Sequence, residues 1–340
     1  KLIDEEDKFS IIENVIDEYE SIGQHKKMIP HLKKMIQLEF NSVEAMNQLS
    51  FCYTILGKED EGIEYFSGLI ETSPFNVLAW FNLGNLFYSL ELFEKAIDAY
   101  EYVLAIEPEY VTAGVKMATA LISIEKNQEA ISVLESILKY DPHEASIYNI
   151  LGTCYSELKE YKIAEKYFKD ALKLQPDLLE ASLGLVYVYV RKDNFKSAHK
   201  QIKKITKLII EISEIWFLKA FIETNLELYD EALDSIIHGL EYKPEDFAAR
   251  IILAEIFTGH YSDYESAIHV LNEGLLIDPE NVVLLYTLAA IYLEAGMIYE
   301  AKNQLHEALS TDREKLYILY DYNPSLQNHE VVIEISKHYF

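Results

Sequence analysis

The chain has 340 residues, of which half are hydrophobic and only 12 are glycine and 8 are proline, a composition that favours helices over strands. Its 30 basic and 57 acidic residues give a formal net charge of -27, so its long-range field repels nucleic acid and anionic membrane surfaces. No apolar run reaches the roughly 18 residues that a spanning helix needs, and we therefore expect a helical protein without nucleic-acid binding or membrane insertion.

Six of the eight prolines recur at a regular interval along the chain. They lie 34, 34, 34, 68 and 35 residues apart, at Pro74, Pro108, Pro142, Pro176, Pro244 and Pro279. The interval of 68 is two periods, with Ile210 at the position of the missing proline. A proline ends one helix before the next begins, because it cannot continue the backbone hydrogen-bond ladder. This period is typical of stacked helical hairpins.

Counting in this frame divides most of the chain into nine repeats. The repeats are 9-42, 43-76, 77-110, 111-144, 145-178, 179-212, 213-246, 247-281 and 282-315. The eighth has one extra residue, which falls in GHYSDYESA between its two predicted helices, where an insertion is tolerated. We expect a single solenoid domain over 1-340, in which residues 316-340 form a C-terminal capping segment of two closing helices broken at Pro324.

Small residues at the eighth and the twentieth place of most repeats predict where the two helices touch. The twentieth place holds Gly62, Ala96, Ala130, Ala164, Ala198, Ala232 and Ala301, with Ala267 one position later in the eighth repeat. The eighth place holds Ser50, Gly84, Ala118, Gly152, Ala220, Ala254 and Ala289. Large residues at the twenty-fourth place, such as Tyr100 and Phe168, fill the adjacent space. In the first repeat Ile16 and Met28 replace the small pair and Pro30 falls inside the second helix, so we expect a looser N-terminal end.

Two repeats carry the fullest set of recurring residues. These are Trp80, Leu83, Gly84, Phe87, Ala96, Tyr100 and Pro108 in the third repeat, and Tyr148, Leu151, Gly152, Tyr155, Ala164, Phe168 and Pro176 in the fifth. Their spacing closely resembles the tetratricopeptide repeat, whose signature is Trp, Leu-Gly, Tyr, Ala, Phe and Pro. The resemblance covers about nine tenths of the chain. It implies an all-α solenoid, a right-handed superhelix of stacked antiparallel helix hairpins, and a role as a scaffold that binds proteins or peptides.

The sequence contains no catalytic, cofactor or metal motif that we recognise. Three His-Glu pairs begin at His143, His306 and His329, but none has the second His that a helical zinc site requires. Glycine-rich phosphate loops and nucleophile elbows do not occur. Cys52 and Cys154 share the tenth place of their repeats, and we interpret them as buried core residues. In six other repeats this place holds an apolar residue: Leu86, Ala120, Val188, Ile222, Ile256 and Ile291. We therefore expect no enzyme activity, no cofactor and no bound metal.

Cysteine usage and the first residues of the chain bear on the cellular compartment. Two cysteines and no Asn-x-Ser/Thr glycosylation site do not indicate an oxidising environment. The first residues, KLIDEEDKF, lack the pattern of a signal peptide. A cytoplasmic location is the expectation, with a removed targeting segment as the alternative because the sequence does not begin with Met.

The family resemblance also implies a binding surface. In tetratricopeptide proteins the first helices line a concave groove through their second, fifth, ninth and twelfth places. Carried over to this sequence, with Asn82 beside them at a sixth place, the implied partner-binding residues are Asn47, Phe51, Phe81, Asn82, Asn85, Tyr88, Asn149, Leu183, Tyr187, Phe217, Phe221, Ile251 and Tyr286. The groove places hold no Lys or Arg, so the basic clamp by which chaperone-binding members hold a terminal carboxylate is absent. We do not expect an adaptor for chaperone tails.

The implied groove residues fall into two zones. Amides such as Asn47 and Asn149 predominate in the first five repeats, where they can hydrogen-bond a peptide backbone. Apolar residues, among them Phe217 and Phe221, follow from the sixth repeat and predict the zone that contributes most of the binding energy. The alternative is that these rings pack between neighbouring helices, or that the tail after Lys315 covers them. Acidic residues in the first repeat favour a partner with apolar anchors and a basic end.

Basic residues concentrate in the sixth repeat. They are Arg191, Lys192, Lys196, Lys200, Lys203, Lys204 and Lys207, accompanied only by Asp193. A solvated helix face is the plain interpretation, and a docking site for an acidic partner or for a second copy of the chain is the alternative.

Three functions stay open at this point because fold alone does not fix function. A protein- or peptide-binding scaffold is favoured over a self-assembling structural element and over the recognition arm of a larger enzyme or sensor. The expected partner is a protein or peptide, and a homo-oligomer is the alternative.

Overall fold

A computed structural model describes residues 5–39 and 42–339, and the chain divides into two compact units, Lys1–Gly184 and Leu185–Phe340. Every regular element in the described ranges is helical. The single domain expected from the repeat pattern stays a prediction. Over the same ranges, no helix combines the length and the apolar character that crossing a membrane requires.

The N-terminal unit consists of helices that pair as antiparallel hairpins. They are α1 Glu5–Ser21, α2 His25–Leu38, α3 Val43–Ile55, α4 Glu59–Thr72, α5 Val77–Ser89, α6 Phe93–Ile106, α7 Val111–Ser123, α8 Asn127–Ile137, α9 Ala145–Glu157, α10 Tyr161–Leu174 and the first half of α11 Leu179–Arg191. From the second repeat onward, the first helix starts at the first residue of its repeat, as at Val43 and Val77. Asn76 caps α5, because its Oδ1 accepts a hydrogen bond from the backbone amide of Ala79 at 2.9 Å.

The C-terminal unit continues the same alternation of helices. Beyond the second half of α11 it contains α12 Phe195–Ile205, α13 Ser213–Asn225, α14 Tyr229–Tyr242, α15 Phe247–Ile256, α16 Tyr264–Ile277, α17 Val282–Glu294, α18 Ile298–Asp312, α19 Tyr317–Tyr322 and α20 Glu330–Ser336. The architecture of the chain is therefore that of an all-α solenoid.

In eight of the nine repeats, the turn inside the hairpin uses one left-handed residue at the fifteenth place of the repeat. Glycine fills it at Gly23, Gly57 and Gly296, with φ between 61° and 71°. Five other repeats place a side chain there, at Glu91, Glu125, Lys159, Asp193 and Glu227, with φ between 52° and 62°. Glycine adopts this backbone conformation without the strain that a Cβ creates.

Small residues at the eighth place let the two helices of a hairpin approach closely, as the sequence predicts. A Cβ on Gly84 would lie 2.6 Å from Cε1 of Tyr100, and one on Gly152 would lie 2.7 Å from Cδ1 of Phe168. Tyr100 and Phe168 are themselves buried at the twenty-fourth place. The large ring at the twenty-fourth place therefore packs directly against the small residue at the eighth place of the same repeat.

The extra residue of the eighth repeat lies at the end of its first helix. Helix α15 continues as a π-helical turn, Phe257–Tyr261, and Ser262 then adopts a left-handed conformation with φ of 54°. A π turn adds one residue to a helical turn. The insertion is thus absorbed inside regular structure rather than in an extended loop.

The segment after Lys315 closes the C-terminal unit. It consists of short helices in which Pro324 occupies the first turn of a 3-10 helix, Pro324–Asn328. Leu319, Leu326 and Val332 are buried against the apolar face of α17 and α18. This arrangement covers the last hairpin, as a solenoid end requires.

Candidate peptide-binding pocket

Helices α13 and α15 border an apolar pocket in the C-terminal unit. The pocket has a volume of about 350 Å³. Its lining residues are Phe217, Ala220, Phe221, Thr224, Asn225, Ile236, Asp246, Ala248, Ala249 and Ile252. Both helices are the first of their repeats, the seventh and the eighth, so the pocket lies where the resemblance places the groove.

The large apolar side chains that line this pocket differ in their exposure to solvent. The ring of Phe217 is partly buried and rests on Gly239 of α14, where a side chain would collide with it. Phe221 is 50% exposed, and its ring meets Phe195 edge-on with centroids 6.2 Å apart. Ile252 is 46% exposed on α15. Phe217 therefore supports the pocket, and Phe221 and Ile252 present apolar surface to solvent.

The polar side chains at the pocket are already engaged. Thr224 Oγ1 donates to the carbonyl oxygen of Ala220 at 2.9 Å, and Asn225 Nδ2 donates to that of Phe221 at 2.7 Å. Asp246 Oδ1 accepts from the amide of Ala249 at 3.0 Å and so caps α15. Because these groups satisfy their own helices, the pocket offers mainly apolar contact.

One ion-pair network lies beside the pocket. Lys243 Nζ is 3.4 Å from a carboxylate oxygen of Glu214 and 3.4 Å from one of Asp246. The three side chains are at least partly exposed and carry a net charge of -1 together.

The sequence placed two further aromatic residues in the groove, and the structure buries both. Phe81 is 5% exposed because its ring packs against Tyr100 and Tyr110, with centroids 6.0 and 5.3 Å away. Tyr286 is fully buried, and its hydroxyl donates to the carbonyl oxygen of Asp312 at 2.9 Å. The closing helices cover Tyr286, as the alternative interpretation of the apolar zone foresaw. Neither ring is available to a partner.

The amides of the N-terminal unit are more engaged than the sequence suggested. Asn82 is fully buried and donates to Asn47 Oδ1 at 3.1 Å and to the carbonyl oxygen of Leu78 at 2.9 Å. Asn82 is therefore a structural residue and not a contact residue. Asn85 Oδ1 accepts from the Tyr100 hydroxyl at 2.8 Å, while Asn47 is exposed.

The remaining implied contact residues have intermediate or high exposure. In the N-terminal unit, Phe51 is 52% exposed and meets His25 edge-on, whereas Tyr88, Asn149 and Leu183 are partly buried.

In the C-terminal unit, Tyr187 is 53% exposed. Ile251 is partly buried against the core between α15 and α17. Two residues of the implied apolar zone in this unit, Phe217 and Phe221, come together at the α13–α15 pocket.

Ile252 and Ala248 belong to the pocket as well. Ala248 occupies a second place, which the groove pattern includes. Ile252 occupies a sixth place, the same place at which Asn82 was considered. If the sixth place of every repeat had been included among the groove places, the sequence would have identified Ile252 as a candidate contact residue.

A buried ionic cluster lies in the α13–α14 hairpin, and the sequence did not reveal it. The Glu223 side chain is 1% exposed, and its Oε1 is 2.9 Å from Lys219 Nζ and 3.0 Å from His199 Nε2. Ser235 Oγ donates to its Oε2 at 2.6 Å. Each carboxylate oxygen thus has a donor, and the cluster is a closed structural network. Over the described residues, no group of His, Cys, Asp and Glu side chains is arranged to hold a metal ion.

Burial suppresses the reactivity of both cysteines. It raises the pKa of the Cys52 thiol to about 11 and that of the Cys154 thiol to about 12. Both side chains are fully buried, as the sequence predicts for core residues.

Two protein-family models match the chain. The model described as "Cytochrome c-type biogenesis protein H TPR domain" matches residues 67–182, and the model described as "Tetratricopeptide repeat" matches residues 261–318. No curated protein matches the sequence.

Several solved structures are similar to this chain. A tetratricopeptide repeat protein from Parabacteroides merdae is 15% identical with a TM-score of 0.52, over 73% of this chain and 98% of that one. A chain of the APC/C hetero-tetramer Cut9-Hcn1 is 16% identical with a TM-score of 0.52, over 78% of this chain and 52% of that one. YrrB, titled a TPR protein with an unusual peptide-binding site, is 20% identical with a TM-score of 0.46, over 55% and 96% of the two chains.

At these identities the structural likeness concerns the fold alone. The family models, the recurring signature residues and the stacked hairpins agree with that fold. The chain is a member of the tetratricopeptide repeat family.

Proposed function

We propose that this protein is a non-catalytic scaffold whose α13–α15 pocket holds an apolar side chain from an extended or helical segment of a partner protein. The tetratricopeptide fold supports a protein-interaction role in general, and proteins of this kind are generally non-catalytic. The observation that carries the more specific proposal is the apolar pocket of about 350 Å³ between two first helices. Concave apolar sites with few polar groups are the usual form of a binding site.

The chemistry of the pocket favours an apolar anchor over a polar one. Thr224 and Asn225 donate to carbonyls of their own helix, so a polar side chain entering the pocket would lose its water without gaining a strong partner. Phe221 and Ile252 would lose exposed apolar surface when an aliphatic or aromatic side chain fills the space between them. A large apolar residue is therefore the expected anchor.

The charges around the pocket favour a basic residue near that anchor. Glu214, Lys243 and Asp246 carry a net charge of -1, and the whole chain carries -27. A basic flank would gain from this field, whereas an acidic flank would be repelled. The places aligned with the groove carry no Lys or Arg, so we do not propose recognition of a terminal carboxylate.

Co-purification with matched bait proteins tests this proposal. The parent chain, Phe221→Ala and Phe75→Ala are used as baits, and bound proteins are quantified by mass spectrometry. Phe75 is the control because it is a phenylalanine that is 79% exposed and lies outside the pocket. We expect one or more proteins to bind the parent and Phe75→Ala and to be depleted from Phe221→Ala.

Phe221 is a better test residue than Phe217. Because the Phe217 ring packs on Gly239, removing it would leave a cavity and destabilise the hairpin. A loss of binding in Phe217→Ala could then reflect unfolding. The same set of bound proteins for Phe221→Ala as for the parent would refute the pocket as the binding site.

A further inference from the structure

The exposed face of α12 carries a row of lysines in this acidic chain. We define the lysine face as Lys196, Lys200, Lys203 and Lys204 on α12 together with Lys207 in the turn that follows the helix, all of which are exposed. The opposite face of the helix is apolar, with Ala198, Ile202 and Ile205 buried. From Lys196 to Lys204 the lysine face runs about 12 Å along the helix at the rise of an α-helix.

These lysines lack the ion pairs that other lysines of the chain form. Across residues 5–39 and 42–339, no carboxylate oxygen lies within 4.0 Å of any of the five ammonium groups. Elsewhere, pairs form between Lys58 and Glu61, Lys126 and Glu129, Lys173 and Asp170, Lys243 and Asp246, and Lys302 and Glu334. Although the chain has 57 acidic residues, no carboxylate in the described ranges pairs with the lysine face.

Intramolecular stability does not account for this arrangement. Like charges three or four residues apart on a helix repel each other, as do Lys196 with Lys200 and Lys200 with Lys204. Lys203 and Lys204 in the last turn interact favourably with the helix dipole. That benefit does not extend to Lys196 or Lys200, which lie nearer the start of the helix.

Exposed apolar residues continue this surface into the loop after α12. Leu208 is 79% exposed, Ile210 is 52% exposed and Ile212 is 39% exposed. The loop is held in place, because the indole of Trp216 donates to the carbonyl oxygen of Ile210 at 2.8 Å. The surface therefore combines unpaired positive charge with exposed apolar side chains on a loop whose backbone is anchored at Ile210.

We propose that the lysine face and this loop bind an acidic segment of a partner protein that also carries apolar residues. The carboxylates of such a segment would pair with the lysines, and its apolar residues would cover Leu208 and Ile210. This surface lies outside the α13–α15 pocket, and the inference does not depend on the proposed function.

Charge distribution favours a short segment over a membrane or a second copy. At physiological salt, charges interact over about 8 Å, so a narrow segment along α12 is influenced mainly by the lysines. A bilayer with anionic lipid, or a second copy with its own net charge of -27, would also face many carboxylates of this chain. Both would be repelled over most of their surface.

Fluorescence anisotropy with a defined probe tests the inference on the full chain. The probe is a labelled peptide of about 12 residues, long enough to span the lysine face as a helix, in which Leu and Phe alternate with pairs of Glu. The same peptide with Lys in place of Glu is the control probe. We expect the acidic probe to bind, the basic probe not to bind, and affinity to fall as salt rises.

Variants locate the binding surface. Lys200→Glu/Lys204→Glu should weaken binding by about tenfold or more, since two attractions become repulsions. Leu208→Ser/Ile210→Ser should weaken it by about threefold or more. Lys162→Glu/Lys166→Glu is the matched control, because it reverses two exposed lysines with the same spacing on α10, and it should leave affinity unchanged. Circular dichroism confirms that each variant stays folded.

Four outcomes would overturn the inference. They are equal binding of the acidic and basic probes, unchanged affinity in Lys200→Glu/Lys204→Glu, an equal loss in the α10 control, and no binding at all. Vesicles with anionic lipid and light scattering are measured in parallel. Binding to vesicles alone would assign the surface to a membrane, and a doubled mass abolished by Lys200→Glu/Lys204→Glu would assign it to a second copy.

Discussion

Lys219 and Glu223 introduce an ion pair into a helix contact that is apolar in the other repeats. The seventh place is Leu49, Leu83 or Leu151 in three other repeats, and the eleventh is Tyr53, Phe87 or Tyr155 in the same three. In the seventh repeat the Lys219–Glu223 distance is 2.9 Å, and Glu223 is almost completely buried. A buried ion pair loses its hydration, so its net contribution to stability is small even though breaking it is costly.

This arrangement predicts strong coupling between the two positions. Glu223→Tyr alone leaves the Lys219 ammonium without its carboxylate and should lower the free energy of unfolding by about 3 kcal/mol. Lys219→Leu alone should also destabilise, because it removes a donor from a buried carboxylate. The double variant restores the residue types of the other repeats. Its free energy of unfolding should be higher, by at least about 1 kcal/mol, than the value expected if the losses of the two single variants simply added.

Urea unfolding of the parent, both single variants and the double variant measures this coupling. Additive losses, within about 0.5 kcal/mol, would show that the two residues do not act as a pair.

The buried cysteines lead to a second prediction at the residue scale. Because burial raises the thiol pKa values of Cys52 and Cys154 to about 11 and 12, almost no thiolate forms at pH 8 in the folded state. A thiol reagent should therefore label neither cysteine in the native protein and both in denaturant. Rapid labelling of the native protein at pH 8 would contradict the burial of these side chains.

The residue scale also shows the limit of the groove pattern. Position within the repeat correctly predicted that small residues at the eighth place contact the large ring at the twenty-fourth, and that the cysteines are buried. These contacts recur from hairpin to hairpin. It failed for Phe81 and Tyr286, which are buried by Tyr110 and by the closing helices, respectively. Tyr110 is the last residue of the same repeat as Phe81, and the closing helices follow the last repeat, so the four groove places by themselves do not indicate either burial.

At the scale of the element, the hairpin turn is the most uniform feature. Eight repeats use a left-handed residue at the fifteenth place, and only three of them use glycine there. Glu125 is one of the exceptions, with φ of 61° and an exposed side chain. Its backbone is strained in a conformation that glycine adopts freely.

We predict that Glu125→Gly stabilises the protein by about 0.5 kcal/mol. Relief of left-handed strain contributes about 1 to 2 kcal/mol, and the greater freedom of glycine in the unfolded chain opposes it by about 0.4 to 1 kcal/mol. Glu101→Gly is the matched control, since Glu101 is exposed inside α6, and it should destabilise by about 1 kcal/mol. Thermal unfolding compares the two variants, and a destabilising effect of Glu125→Gly would refute the strain argument.

Helix positions could be predicted well from the sequence, and deviations within elements less well. The first residues of α5, α7 and α9 follow from the spacing of the prolines, because Pro74, Pro108 and Pro142 each lie three residues before one of them, where the preceding hairpin ends. The extra residue of the eighth repeat was located correctly, but its π turn, Phe257–Tyr261, was not foreseen. The choice between a loop and a π turn depends on packing around α15 rather than on the local pattern.

At the scale of the whole molecule, the repeated signature gives the hairpins similar contacts, and the surfaces that we propose for function are places where the sequence departs from that signature. In repeat proteins stability arises from each hairpin and its neighbours, so a single hairpin can depart from the signature without loss of the fold. The notable departures here are the α13–α15 pocket, the ionic cluster around Glu223 and the lysine face of α12. All three lie in the C-terminal unit. The sequence predicted the zone of the pocket but could not give its volume, which depends on the approach of α13 and α15.

Calorimetry with the partner segment identified by co-purification tests whether the α13–α15 pocket is the binding site. We predict that Phe221→Ala weakens binding by at least about 1 kcal/mol, the usual mark of an important interface residue. The control Phe75→Ala should bind like the parent. Binding should also show a negative heat-capacity change that becomes smaller in Phe221→Ala, because less apolar surface is buried. Unchanged affinity of Phe221→Ala, with its fold intact by circular dichroism, would contradict the claim that the α13–α15 pocket is the binding site.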